Sequence, residues 1–247
     1  MAPIVALQTA DAEVAAESAR RDSFSQLRFW LPAVGLLWLD LGSKAWVFRN
    51  LSPDEFRPAI PSVLEFRRSL NDGAVFGSFS GHASVFIVAS VFALAFVLYL
   101  FANSSRRQRV LHVSLAMILA GALGNLYDRA FMTADVVRFR EKAGGRMVSV
   151  IGKIVSESAE TVRIGDWPNG GRPQSFTRSE VEEIRSQGVV RDFVRFTVRF
   201  PKFVPRIGGM EVWPWIFNVA DAALVCGVIL LLLTSLFERS RREAPIE

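Results

Sequence analysis

Four stretches of the chain are almost wholly apolar, and charged segments separate them: Phe29 to Phe48, Ala83 to Ala102, Val110 to Leu126 and Trp215 to Phe237. A helix needs roughly 20 apolar residues to cross a bilayer core, so each block reads as a span, the third only if Asp128 lies inside the membrane. Polar residues recur within three of the blocks at helical spacing. Gly121, Gly124, Asn125 and Asp128 follow i, i+3, i+4, i+7 and share one face. Asn218, Asp221, Ala222 and Val225 do the same in the fourth block, as do Asp40, Ser43 and Lys44 in the first. Ionisable groups at membrane depth are costly and turn toward protein or a cavity rather than lipid. Between the third and fourth blocks the period changes. MVSVIGKIVSESAETVRI, at 147–164, reads as short strands broken by polar turns, followed by WPNGGRP as a turn and SEVEEI as a capped helical turn.

Composition agrees with apolar blocks in a charged frame: 51% of residues are hydrophobic, with 20 Phe and 6 Trp, and 21% are charged. The first 28 residues lack the basic start, apolar core and small-residue cleavage site of a signal peptide, in that order. Arg20, Arg21 and Arg28 precede the first block, Arg106, Arg107 and Arg109 separate the second and third, and Arg239, Arg241 and Arg242 follow the fourth. On a path of four alternating spans these clusters fall on one side, and the positive-inside rule makes that side, with both termini, cytoplasmic. The net charge of +5 therefore reflects topology, and nucleic acid is not an expected partner. The single cysteine, Cys226, reads as a small apolar packing residue, and His82 and His112 are too far apart to make a metal cluster or a Ser-His pair.

Topology places Asp128 at the outer end of the third span. Asp221 lies about eight residues, roughly 12 Å of helix, past Trp213 at the outer start of the fourth. Two carboxylates at one depth in a low-dielectric site do not both ionise, so one keeps a proton and the other stays a base. That is the chemistry of an aspartic peptidase, which needs no metal or cofactor. The alternative is that Asp128 pairs with Arg129 or another base and only fixes helix packing. Gly121 and Gly124 read as close-packing positions.

Five blocks, DLGSK at 40–44, NDGAVFGSF at 71–79, GALGNLYDR at 121–129, GVVRDFVRF at 188–196 and WPWIFNVADAA at 213–223, resemble the lipoprotein signal peptidases, or signal peptidase II family. The resemblance implies that Asp128 and Asp221 are the catalytic dyad, with Asn125 and Asn218 as polar supports and Arg129 holding local structure or touching substrate. Asn71 would help seat the substrate, with Gly73 and Phe76 completing its block. Asp40 and Lys44 match charged positions of the first helix, where an i, i+4 ion pair is equally in reach. The implied activity is cleavage of the signal peptide of bacterial prolipoproteins before a diacylglyceryl-modified cysteine. The partners would be that substrate and membrane lipid, and the site would lie near the outer face of the cytoplasmic (inner) membrane.

The implied fold is an all-α membrane protein, a four-transmembrane-helix bundle with a small extracytoplasmic β-platform, to which PSVLEFRRSL at 61–70 could give a strand. The chain departs from the family between Arg129 and GVVRDFVRF, where about 55 residues intervene. Either Asp192 or Asp135, in ADVVRF at 134–139, then fills the family's VxDF position. The resulting division is a cytoplasmic tail 1–28, a membrane peptidase domain 29–131 and 188–238, an extracytoplasmic β-rich insert 132–187 of undefined partner, and a basic tail 239–247. Two other readings stay open: a different intramembrane aspartic protease, although NVAD at 218–221 lacks a GxGD-like element, and a non-catalytic membrane scaffold.

Overall fold

A computed structural model describes residues 18–53, 55–73, 83–140, 147–165 and 173–243. Phe76, His82, most of WPNGGRP and both ends of the chain lie outside these residues. Helices α1 (Ser23–Asn50), α2 (Ala83–Ala102), α3 (Arg109–Phe131) and α4 (Val219–Glu243) contain the four apolar blocks. The chain folds as two compact units, one of Met1–Asp40, Ala89–Gly124 and Val219–Glu247, the other of Leu41–Val88 and Asn125–Asn218.

The first unit is helical. Asp22 caps α1 by accepting from the Ser25 N–H at 2.8 Å and its hydroxyl at 2.7 Å, which satisfies donors that a helix start leaves open. Phe29 stacks on Phe101 with ring centroids 4.1 Å apart, inside a core that includes Ala33, Val97, Leu115 and Leu119. Gly121 and Gly227 let α3 and α4 approach: a Cβ at 121 would collide with the Ala220 carbonyl, and one at 227 with Ser114 and Ile118. The glycine stripe is thus a packing surface, as its spacing suggests. The other side of these helices is apolar too. Trp38 on α1, Phe92 on α2 and Leu232 on α4 stand exposed with their neighbours, the arrangement expected of surfaces that face lipid.

The second unit contains two antiparallel sheets. One has the order β1-β2-β8-β9, from Phe56–Ile60, Leu64–Asn71, Val190–Phe196 and Ile216–Phe217. The other has the order β6-β5-β4-β3-β7, from Gln174–Thr177, Thr161–Gly165, Met147–Glu157, Thr133–Arg140 and Val181–Gly188. Its core is small and aliphatic: Val137, Val162, Ile164 and Val181, with Phe176 packed alongside. SEVEEI is not a helical turn, since a single 3₁₀ turn at Arg178–Glu180 gives way to β7.

The expected fold class is therefore corrected. The chain is not an all-α four-span bundle: two β-sheets make up much of its second unit, and among the described residues only Arg109–Phe131 and Val219–Phe237 are helices long and apolar enough to cross a membrane. The apolar part of α2, Ile87–Ala102, is too short by that measure, and α1 carries Arg28, Asp40 and Lys44. Counting apolar blocks overrates such helices. It also hides strands, whose alternate residues are polar and so read as loop.

Gly188 joins the two sheets, as the last residue of β7 two positions before β8. A Cβ there would collide with the backbone of Arg129 at the end of α3, and the next residue, Val189, donates its N–H to the Met132 carbonyl at 2.8 Å. Gly188→Ala is expected to destabilise the fold by about 1–3 kcal/mol, the usual cost of overpacking, read as a lowered unfolding midpoint in detergent.

Candidate active site

Seven polar side chains of the second unit form one connected network. It begins at Asp128, which has no exposed surface. Asp128 Oδ1 accepts from Arg191 Nη2 at 2.6 Å and Nε at 3.1 Å, and Oδ2 accepts the Arg191 backbone N–H at 2.9 Å and lies 3.4 Å from Lys44 Nζ. A carboxylate offers about four lone-pair sites, and these four donors occupy them. Lys44, also buried, donates on to Asn125 Oδ1 at 3.1 Å. Asn218 donates to the same oxygen at 3.2 Å and to Asp192 Oδ1 at 2.6 Å. Asp192 Oδ2 accepts from Asn71 Nδ2 at 3.1 Å.

Local structure explains why two neighbouring residues do different work. Arg191 and Asp192 are consecutive in β8, and consecutive strand residues project to opposite faces. One turns its guanidinium to Asp128, and the other turns its carboxylate to the asparagines. The β2–β8 register sets Ser69 opposite Asp192 and Asn71 opposite Val190, within reach of the Asn71 amide. Asn71 is fixed in turn, because its Oδ1 accepts the Gly73 N–H at 2.9 Å. Gly73 has φ +89°, a conformation that disfavours a Cβ. On the other side of β8, pairing of Val194 with Phe217 carries the chain into Asn218 beside Asp192.

Asp221 lies half-buried in the first turn of α4, three residues after Asn218. In the first unit Asp40 accepts the Ala220 N–H at 2.8 Å, an acid at a helix start where the dipole favours it. A Cβ at Gly124 would collide with the Asp40 carboxylate. Asp135 is elsewhere: in β3, opposite Gly152, it accepts the Ile154 N–H at 2.9 Å within the five-stranded sheet. Asp192, not Asp135, meets the motif asparagines. Arg129 contributes backbone against Gly188, and its side chain is half-buried.

No motif spacing marks Arg191 as the partner of Asp128. Its only signal is alternation within a strand, which places it on the face opposite Asp192. The Ser-His expectation is also corrected, since Ser104 Oγ lies 3.0 Å from His112 Nε2 in the first unit, both residues buried. Ser104 spends its hydroxyl hydrogen on the Phe101 carbonyl at 2.7 Å, so the imidazole is the donor and the pair is structural. Cys226 is exposed on α4 rather than packed inside. Among the described residues no three His, Cys, Asp or Glu side chains are grouped to hold a metal ion.

Residues 33–237 match the family described as Signal peptidase (SPase) II. The chain belongs to the signal peptidase II family. A lipoprotein signal peptidase of Desulfitobacterium hafniense is 26% identical over 219 residues, 88% of this chain and 98% of that protein. One from Latilactobacillus sakei is 33% identical over 109 residues, 43% of this chain and 72% of that protein. A solved structure of a bacterial membrane enzyme has the same fold, with TM-score 0.57 and 19% identity over 94% of this chain and 99% of that one. Signal peptidase II enzymes are membrane proteases, which sets the reaction class as peptide hydrolysis.

The two acids of this network should respond differently to neutralisation. Asp128→Asn leaves Arg191 and Lys44 as buried charges without their counter-charge, and is expected to cost about 3–5 kcal/mol of stability. Asp192→Asn disturbs bonds from neutral amides and should cost about 1 kcal/mol. Thermal unfolding of both variants in one detergent measures the difference, and equal losses would contradict these assignments.

Proposed function

We propose that the protein cleaves the signal peptide of diacylglyceryl-modified prolipoproteins before the lipidated cysteine, by an aspartic mechanism in which Asp192 and Asp221 are the working carboxyls. The sequence expectation paired Asp221 with Asp128. The observation that favours Asp192 is the occupancy of Asp128: its lone pairs are taken by Arg191 and Lys44, which leaves no acceptor to activate water. The amide donors described on Asp192, from Asn71 and Asn218, are neutral and so compatible with a carboxyl that exchanges protons. Asn218 and Asp221 belong to one motif, FNVADAA at 217–223, which the family reading assigns to catalysis.

In this reading one carboxylate takes a proton from water while the other, protonated, donates to the scissile carbonyl oxygen. The resulting tetrahedral diol collapses as the leaving amine gains a proton, breaking the C–N bond. Asn71 and Asn218 orient the acid on β8. Apolar side chains exposed on α1, α2 and α4 suit a substrate that arrives sideways through lipid. Asp128, with Arg191 and Lys44, is a positioning residue.

The test is incubation of purified protein with a diacylglyceryl-modified prolipoprotein and detection of the released signal peptide. Asp192→Asn and Asp221→Asn should each retain less than about 1% of activity, a barrier increase above roughly 2.7 kcal/mol, with unfolding midpoints close to that of the unaltered protein. A folded Asp192→Asn enzyme that still cleaves would return the role to Asp128.

Orientation follows from the basic residues at the ends of the two helices of spanning length. Arg106, Arg107 and Arg109 sit at the start of α3, and Arg239, Arg241 and Arg242 at the end of α4. The positive-inside rule puts both ends in the cytoplasm and the intervening strands outside. Reporter fusions after Arg107 and Arg242 should read as cytoplasmic and fusions near Gly170 as extracytoplasmic. A cytoplasmic signal near Gly170 would reverse the orientation.

A further inference from the structure

Away from the acids, in the first unit, a cavity of about 510 Å³ is lined by Asp22, Phe24, Arg28, Arg106, Arg107 and Arg109, within the roughly 300–1,000 Å³ range of ligand clefts. Its walls come from the start of α1 and from the segment joining α2 to α3, and three contacts fasten these together. Ala19 donates its N–H to the Ser104 carbonyl at 2.9 Å, Ser18 and Ser105 form an isolated bridge, and Arg28 Nη1 reaches the Arg106 carbonyl at 3.5 Å. The four arginines therefore line a built concavity rather than lying scattered along a tail.

The cavity carries four positive charges against one negative. The negative one, Asp22, is already engaged: hydrogen bonds from the Ser25 hydroxyl and backbone N–H, then the charges of Arg28 and Arg106, hold its carboxyl below the usual range. The lining as a whole carries three net positive charges, a field that attracts an anion. Guanidinium forks match phosphate oxygens in pairs, and the positive poles of the α1 and α3 starts add to the field. What adjoins the basic wall then narrows the choice of phosphate. Phe24, Leu27, Arg28 and Leu31 lie at helical spacing on one stripe of α1, and Phe24, Leu27 and Leu31 are 69%, 57% and 65% exposed. An apolar strip continuing from a phosphate-sized basic cavity suits a molecule with a charged head and a hydrocarbon tail. We propose that Arg28, Arg106, Arg107 and Arg109 bind the head group of an anionic phospholipid whose acyl chain lies along the Phe24–Leu27–Leu31 stripe.

Native mass spectrometry of the detergent-purified protein tests this with phosphatidylglycerol, phosphatidylcholine of the same acyl chains and inorganic phosphate as probes. The unaltered protein should retain phosphatidylglycerol at least about tenfold more tightly than phosphatidylcholine, a difference of 1.4 kcal/mol. Replacing all four arginines by glutamine should reduce the preference below about twofold. A result independent of any variant comes from salt: about 0.5 M sodium chloride should remove most of the preference from the unaltered protein, because the arginines are accessible to screening. Inorganic phosphate at about 10 mM should compete weakly, since it lacks the apolar part. Equal retention of the two lipids, an undiminished preference in the four-glutamine variant, or a preference insensitive to salt would each overturn the proposal. Phosphate that displaces the lipid as well as another phosphatidylglycerol molecule does would overturn the lipid assignment in favour of a free anion.

Discussion

Asp128 from α3, Arg191 from β8 and Lys44 from α1 form a buried ionic cluster, and the asparagines and Asp192 of the site are tied to it. Removing three charges from water is expensive, so the cluster holds only while each charge has partners in good geometry. Asp128 meets that condition through both edges of the Arg191 side chain and backbone, and Lys44 meets it by sharing itself between Asp128 and Asn125. The bonds fix a strand and two helix segments at one point. They set the rotation of β8, and with it the side to which Asp192 turns.

From that point the asparagines carry order outward. Asn125 has a single carbonyl oxygen, and it accepts from both Lys44 and Asn218. Asn218 spends its two N–H groups on Asn125 and Asp192. A charge-bearing residue at one end is thereby linked to a carboxyl at the other by neutral amides alone. Such a relay fixes the position of the second acid through the amide that links Asn125 to Asp192.

Much of this was legible in the sequence, and the gaps have physical causes. Apolar blocks located four helices, and the glycine spacing on α3 identified a contact that lies within 4 Å of α4 backbone. The motif asparagines 71, 125 and 218 were visible as a set and meet in one network. Helical periodicity reports which residues of one helix share a face, however, and says nothing of what arrives from a strand. Asp128 therefore read as an acid facing a cavity, because Arg191 lay 63 residues away in a segment whose alternation was hidden among charges. The count of spans failed for a related reason, since hydropathy measures composition and not whether a charged residue such as Asp40 is consumed by a helix end.

The five-stranded sheet has its first strand, β3, hydrogen-bonded directly to its last, β7, from Thr133 opposite Gly188 to Phe139 opposite Val181. Chain enters and leaves this region through these two paired strands, and β4 folds back along β3 from Met147 opposite Arg140 to Gly152 opposite Asp135. The pairing of β3 with β7 closes the region beside Gly188, which leads toward Arg191. The paired ends act as a clasp: chain added in the connection after Arg140 lengthens the region without parting the two strands that hold Gly188 beside the acids.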